Sequence, residues 1–481
     1  MTASHPLKGE AVTLAGIERR QSLAYVSSRR VAVMVAIVAG MMACLTIALH
    51  APGQVSMDTS VQLFEALTGQ SISFNPPFMS ALLHWLGGGS VATSLLVMIN
   101  TVLLYGSFAL VAVSIALMRE VRGLGPLPTW RAALALLVIL NPMVFLYAGI
   151  VWKDVLFASL LTSGCAFTIA ASAGGAFRRY ACALVALVLL AGALITRQQG
   201  VFMVPLVILA VIAALWRGQL RQGIVLALVV FGAFMTVESL LSRAVDKAIK
   251  PPAYVASSVG LRSLMTFDLA GMVSQSSRSA EEYVLPITPE QLNAVRSAYT
   301  PERVDTLSHT PFIDEWLSGL SNDEVRQAWW AMLKQNPSAY LKHRLAAYSK
   351  LMGLDGIEGT LPIHIGVEGN ADYLAQVGME QGRNQRTQLI YDIARGFFAT
   401  VLYRHVFWFS LLAVVVVVGA VACLQRRLLV IGGLIALAAS LLYASYLPTA
   451  IAADFRYLFG GIPLVMLLAL VVLLGGARKR I

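Results

Sequence analysis

Ten apolar runs determine what this chain can fold into, because each is long enough to cross the hydrocarbon core of a membrane. A helix needs about 20 residues to span roughly 30 Å of lipid, and only helices and closed barrels can cross it. Since 58% of the residues are hydrophobic and only 13% are charged, we predict an all-α polytopic membrane protein. The predicted spans run from Val31 to Leu49, Val91 to Leu117, Ala132 to Ala148, Val155 to Ala173, Ala181 to Thr196, Val201 to Trp216, Ile224 to Leu241, Val401 to Leu424, Leu428 to Leu447 and Tyr457 to Gly475.

The charges of the short loops predict the orientation of these spans. When the spans alternate, nearly all Lys and Arg residues of the short loops fall on one side, which is expected to be cytoplasmic. Lys153, Arg197 and Arg456 are on the other side. Both termini are therefore predicted to be cytoplasmic. The pI of about 9.6 follows from this bias and does not indicate nucleic-acid binding.

Changes in composition divide the chain into five parts. Residues 1–30 are predicted to be a cytoplasmic tail, 31–241 hold the first seven spans, and 242–404 form a charged domain on the outer side. Residues 405–475 hold the last three spans, and 476–481 form a second cytoplasmic tail.

The outer domain is predicted to be mainly helical. Its prolines and capping residues predict helices from Pro289 to Ala298, from Ser321 to Lys334 and from Pro337 to Leu351. Residues 353–382 are rich in glycine and are predicted to form a mobile loop.

The first outer loop, residues 50–90, carries two acids and no Lys or Arg. Thr59-x-x-Gln62 has the form of a capping box, which predicts a short helix on the membrane surface that starts after Asp58 and ends at a glycine. Asp58 would then lie at the helix end. Glu65, about two turns further on, is interpreted as a residue that faces solvent.

A second surface helix is predicted from Phe78 to Leu86, after Pro76-Pro77. His84 in this helix is interpreted as an interfacial anchor, with a substrate contact as the alternative.

Several outer turns carry charged side chains that are expected to converge at one depth. They are Asp58 after the first span, Lys153 and Asp154 after the third, Arg197 after the fifth, and Asp454 and Arg456 after the ninth. Transfer of a group from a lipid phosphate needs a base and cations at this boundary. The alternatives are snorkelling side chains and, for Asp454 with Arg456, a purely structural ion pair.

These features resemble the GT-C superfamily of integral-membrane glycosyltransferases, which use polyprenyl-phosphate sugars. The resemblance covers the topology, the acid-bearing outer loop and three short patterns. The patterns are Asp58-x-x-x-Gln62 with Asn75-Pro76-Pro77, Pro337-x-x-Tyr340-Leu341-x-x-Arg344, and Asp454-x-Arg456-Tyr457. A bacterial branch of the superfamily has His where this chain has Asn75.

The resemblance implies an inverting hexosyl or pentosyl transferase in a bacterial inner membrane. It implies a polyprenyl-phosphate sugar donor and an envelope glycan, lipid or protein as acceptor at the periplasmic face. A transporter or flippase of a lipid-linked sugar is the alternative from another class, and a glycan ligase or polymerase is the enzymatic one.

The resemblance also implies residue roles. Asp58 is expected to be the catalytic base, and Asp154 a second catalytic acid that assists a metal or orients Lys153. A divalent cation, Mg²⁺ or Mn²⁺ at these two acids, is left open. The residues expected to bind the donor or its phosphate are Gln62, Asn75, His84, Lys153, Arg197, Arg344, Asp454 and Arg456. Changing Lys153, Arg197 or Arg456 to Ala is expected to weaken donor use without unfolding the protein.

Overall fold

A computed structural model describes residues 25–251, 256–283, 287–422 and 424–476. The tails predicted to be cytoplasmic therefore lie largely outside the described residues. The regular elements of the described chain are helices, apart from β1 (Tyr25–Val26), which pairs antiparallel with β2 (Leu127–Pro128). The prediction of an all-α polytopic membrane protein is confirmed.

Between Ser28 and Ala248 the described chain forms ten helices. They are α1 (Ser28–His50), α2 (Met57–Thr68), α3 (Phe78–Trp85), α4 (Gly89–Val121), α5 (Thr129–Ile139), α6 (Pro142–Ala148), α7 (Lys153–Ala171), α8 (Ala176–Thr196), α9 (Gly200–Leu215) and α10 (Leu220–Ala248). The third predicted span is divided into α5 and α6, because Pro142 has no N–H for a continuous helix. The Asn141 side chain caps α6 by accepting from the N–H of Met143 at 2.9 Å.

The described residues of the outer domain add eight helices. They are α11 (Ala256–Ser274), α12 (Pro289–Ala298), α13 (Asp305–Ser308), α14 (Pro311–Ser318), α15 (Asn322–Gln335), α16 (Pro337–Met352), α17 (Ala371–Gln376) and α18 (Gln385–Arg395), with a 3-10 turn at Ala280–Glu282. The three helices predicted here are confirmed to within one residue at each end. The helix α10 continues to Ala248, six residues beyond the predicted domain start at residue 242, which stays a prediction.

The chain ends in α19 (His405–Val421), α20 (Arg426–Ser445) and α21 (Gly461–Gly475), with 3-10 turns at Val401–Tyr403 and Phe455–Leu458. By length and composition, eight helical segments of the described chain can cross a membrane. The apolar helices α9 and α19 are shorter. Together these ten segments match the ten predicted spans in order, with two below the usual spanning length.

Two hydrophobic cores divide the outer domain in a way that composition does not show. Phe267, Val325 and other buried residues between Met265 and Ala347 form a core of their own. Ile363, Ile390 and Tyr403 instead belong to the core of the membrane bundle. The second half of the predicted domain, from about residue 353 to residue 404, therefore packs on the bundle, and we call it the cover.

Candidate active site at the outer end of the bundle

The N-cap of the surface helix α2 lies three residues earlier than the capping box at Thr59 predicts. Ser56 is its N-cap, so Asp58 lies in the first helical turn. The capping box predicted at Thr59 is wrong, because the Thr59 hydroxyl donates to the carbonyl oxygen of Val151 at 2.5 Å. Gly69 ends the helix with φ of 69°, as predicted, a conformation that glycine adopts without steric cost.

Backbone pairing brings the first outer loop to the start of α7. The N–H of Gln54 donates to the carbonyl oxygen of Gly149 at 3.0 Å, and the N–H of Val151 donates to that of Gln54 at 2.9 Å. The indole of Trp152 donates to the hydroxyl of Ser56 at 2.8 Å. These contacts fix Asp58 beside the charged residues that open α7.

The glycine-rich loop, which is predicted to be mobile, is hydrogen-bonded to two other segments of the site. The N–H of Val55 donates to the carbonyl oxygen of Gly366 at 2.8 Å, and the N–H of Glu368 donates to that of Val55 at 2.8 Å. At its other end the N–H of Phe455 donates to the carbonyl oxygen of Leu361 at 3.1 Å. The loop thus joins the segment of Asp58 to the turn that precedes α21.

A further pairing ties this turn to the outer domain. The N–H of Val304 donates to the carbonyl oxygen of Ile451 at 2.8 Å, and the N–H of Ala453 donates to that of Glu302 at 2.6 Å. Arg303 lies between these two contacts, so its side chain is directed by backbone bonds on both sides.

Arg456 is the centre of one group of charges. Its Nη1 lies 2.6 Å from Oδ2 of Asp58, and its Nε lies 3.3 Å from Oδ2 of Asp454. Arg303 contacts the other oxygen of Asp454 at 3.1 Å. The guanidinium of Arg456 also lies 4.8 Å from the ring centre of Trp152, which favours a cation on the aromatic face.

Arg197 and Lys153 form a second group beside the first. Arg197 pairs with the fully buried Asp154 and donates to the hydroxyl of Tyr446. Lys153 donates to the side-chain oxygen of Asn75. Asp154 therefore has Arg197 as its ion-pair partner, and its orienting effect on Lys153 stays a prediction. The predicted convergence of the outer turns is confirmed.

The charges around Asp58 decide its ionisation. Burial alone would raise the pKa of Asp58, but the cations Arg456 and Lys153 outweigh this, so that its pKa lies below the ordinary value. The second carboxyl beside Arg456, that of Asp454, has a raised pKa because burial outweighs the effect of Arg456 and Arg303. Of the two carboxyls beside Arg456, Asp58 is thus the one whose surroundings favour the ionised form.

Three of the residues expected to bind donor do not join these charges. Arg344 is buried, with its Nε 2.6 Å from Asp268 and its Nη1 donating to the carbonyl oxygen of Ala450 at 2.8 Å. His84 is turned to the carbonyl oxygen of Ala66 at 2.8 Å. Gln62 is buried one turn along α2 from Asp58, and its Nε2 has no hydrogen-bond partner within the described residues.

The interpretation of Glu65 as a solvent-facing acid is wrong. Its side chain is fully buried. Its Oε1 accepts from the N–H groups of Ile72 and Ser73 at 2.9 and 2.8 Å, and its Oε2 accepts from the hydroxyl of Ser80 at 2.6 Å. Glu65 therefore stabilises the turn between α2 and α3, and we assign it no part in the chemistry.

We expect Glu65→Ala to lower the free energy of unfolding by about 2 kcal/mol, because several buried donors lose their acceptor and water replaces only part of it. Thermal unfolding of the purified full-length protein in detergent measures this loss. The exposed acid Asp372 in α17 provides the control, and Asp372→Ala should change stability by less than about 0.5 kcal/mol. Equal stability of the two variants would contradict the role given to Glu65.

The acids of the site do not form a protein-only metal site. Asp58 and Asp154 each contact a guanidinium. Nowhere in the described ranges do three or more His, Cys, Asp or Glu side chains come together as a ligand group. Because a divalent cation prefers several oxygen ligands, these two acids do not by themselves make up a binding site for Mg²⁺ or Mn²⁺.

Comparisons with known proteins do not assign a function to this chain. No protein-family model and no curated protein matches the chain. Among solved structures it is similar to ArnT from Cupriavidus metallidurans in the apo state, at 13% identity over 92% of this chain and 77% of that one, with a TM-score of 0.28. At these values the likeness assigns neither a family nor an activity.

Sequence reasoning missed several residues that shape the site. Arg303 and Tyr446 contact charged members of the two groups, and Trp152 lies against Arg456. The imidazole Nε2 of His364, in the glycine-rich loop, lies 2.8 Å from the carbonyl oxygen of Val55. Trp152 could have been found by its place next to Lys153, whereas Arg303 lies in an outer loop without any local pattern.

Proposed function

We propose that this protein is a GT-C type membrane glycosyltransferase that moves a sugar from a polyprenyl-phosphate donor to an envelope acceptor on the outer side. The observation that carries the proposal is the meeting of Asp58 with Lys153, Arg197 and Arg456 at one end of the bundle. An ionised carboxylate beside several cations at a membrane boundary matches the needs of a lipid-phosphate leaving group.

In the proposed reaction the carboxylate of Asp58 takes the proton of an acceptor hydroxyl. The hydroxyl oxygen attacks the anomeric carbon of the sugar, and the bond from that carbon to the phosphate oxygen breaks. The phosphate leaves with the electron pair, and its added negative charge is stabilised by Arg456 and Lys153. A single displacement of this kind inverts the configuration at the anomeric carbon.

Arg456 has two tasks in this scheme, since it pairs with Asp58 before any donor binds. A carboxylate with a lowered pKa is ionised at neutral pH but is a weak base. When the donor phosphate draws the guanidinium of Arg456 to itself, the opposing effect of burial raises the pKa of Asp58. The donor would thus strengthen the base that acts on the acceptor.

This coupling predicts different pH profiles for kcat/KM and kcat. In the free enzyme the lowered pKa of Asp58 keeps the base ionised, so activity is lost only as the pH falls below the ordinary range of an aspartate. With donor bound, the acid limb of kcat should lie at higher pH. Transfer rates measured against pH at limiting and saturating donor test this, and coincident limbs would refute the coupling.

Lys153 provides the direct test of phosphate binding. We expect Lys153→Gln to raise the KM for a polyprenyl-phosphate sugar about tenfold or more, because a charge-assisted contact contributes about 1.5 to 3 kcal/mol. The control is Lys342→Gln, which removes an exposed lysine of α16 in the outer domain. The measurement is sugar transfer in membranes. An unchanged KM in Lys153→Gln would contradict the proposal. So would the absence of transfer from any polyprenyl-phosphate sugar by the unaltered protein.

A further inference from the structure

A cavity of about 90 Å³ lies at the end of the bundle opposite the candidate active site. The C-terminal ends of α4 and α21 and the N-terminal end of α20 surround it. Its polar lining includes Arg119, Arg122 and Gln425, and its apolar lining includes Ile115 and Leu428. No step of the proposed transfer uses this cavity.

Arg119 is a buried cation without a carboxylate partner among the described residues. Only 4% of its surface is exposed. Its Nη1 donates to the carbonyl oxygens of Leu474 and Gly476 at 3.2 and 2.9 Å, and its Nη2 donates to that of Gly125 at 2.7 Å. Its Nε has no acceptor within the part of the chain that the structure describes. Because a buried charge is costly unless it is neutralised, the lining favours an anion.

Two neighbouring features add positive charge at the same place. Arg131 also donates to the carbonyl oxygen of Gly476, at 3.2 Å, so that two guanidinium groups share one acceptor. The 20-residue helix α20 begins at the cavity, and Gln425 at its N-cap position makes no side-chain capping bond. A helix N-terminus has N–H groups without intrahelical acceptors and carries partial positive charge.

Arginines on the cytoplasmic side of a membrane protein are expected from topology alone. That explanation suits side chains that reach water, such as the exposed Arg221. It does not account for Arg119, which is buried, lines a cavity and retains an unsatisfied Nε.

We propose that this cavity binds the phosphate of an anionic phospholipid. The phosphate oxygens accept from Arg119, Arg122 and the first N–H groups of α20, while Ile115, Leu428 and the rest of the apolar lining contact the acyl chains. The lipid would belong to the leaflet on the side predicted to be cytoplasmic. A free phosphate offers the same oxygens but has no group that matches the apolar lining.

Native mass spectrometry of the full-length protein in detergent tests this binding, with phosphatidylglycerol, phosphatidylcholine and inorganic phosphate as separate additions. We expect phosphatidylglycerol to bind, and Arg122→Gln to weaken it about tenfold or more. Arg122 is exposed at the rim of the cavity, so the variant should fold. The control Arg221→Gln removes an exposed arginine that does not line the cavity, and its affinity should equal that of the unaltered protein.

Two results would overturn the proposal. Equal phosphatidylglycerol affinity in Arg122→Gln and Arg221→Gln would show that the cavity is not the binding site. Binding of inorganic phosphate that excludes phosphatidylglycerol would show that the site holds a soluble anion and not a lipid.

Discussion

Asp58→Asn is expected to reduce sugar transfer by about a hundredfold or more while the protein remains folded. Asparagine keeps the size of the side chain but cannot accept the proton of an acceptor hydroxyl, and loss of a general base costs about a hundredfold to ten-thousandfold in rate. Stability should fall by no more than about 1 kcal/mol, because Arg456 keeps its contact with Asp454 and the Asp58 side chain is 39% exposed.

Transfer from a polyprenyl-phosphate sugar at saturating donor measures this effect. The matched control is Asp372→Asn in α17, which removes an exposed acid on the cover over α2 and should leave transfer unchanged. If Asp58→Asn folds, binds donor and still transfers sugar at the rate of the unaltered protein, the base is another group.

Arg197→Ala is expected to destabilise the protein by about 3 to 5 kcal/mol, the usual cost of removing one partner of a buried ion pair. The fully buried carboxylate of Asp154 would lose its counter-charge, and the hydroxyl of Tyr446 would lose a donor. This replaces the sequence-based expectation that Arg197→Ala affects donor use alone. Thermal unfolding of the purified protein measures the loss.

A double variant separates the ion pair from the general effect of truncation. Arg197→Ala combined with Asp154→Ala should recover part of the lost stability, since no unpaired charge is left in the interior. The control is Arg326→Ala, which breaks a pair with Asp323 between side chains that are 66% and 74% exposed and should cost less than about 1 kcal/mol. Similar losses in Arg197→Ala and Arg326→Ala would contradict the assignment.

The spans and many outer helices could be predicted because their signals are local. Apolar runs of spanning length give the bundle, and Pro289 and Pro337 mark helix starts that the structure confirms. Span parity predicts only that Asp58 and Arg456 lie on one side of the membrane.

The partners of individual charges could not be predicted, because they depend on pairing between distant segments. Arg456 and Asp58 are 398 residues apart, and they meet because the loop near Gly366 pairs with Val55. Glu65 was misjudged for a related reason. Most of its donors belong to the turn after α2, and a sequence does not show where backbone N–H groups point.

The pairing of Glu302 and Val304 with the turn before α21 limits how this protein can be recombined. The first half of the outer domain, which includes the buried residues from Met265 to Ala347, has a hydrophobic core of its own and could form a unit for exchange between homologues. Yet Arg303, which holds Asp454, belongs to that unit. A chimaera that exchanges the outer domain would therefore have to take residues 302–304 and 451–454 from the same parent, because these two stretches are joined by backbone hydrogen bonds and an ion pair.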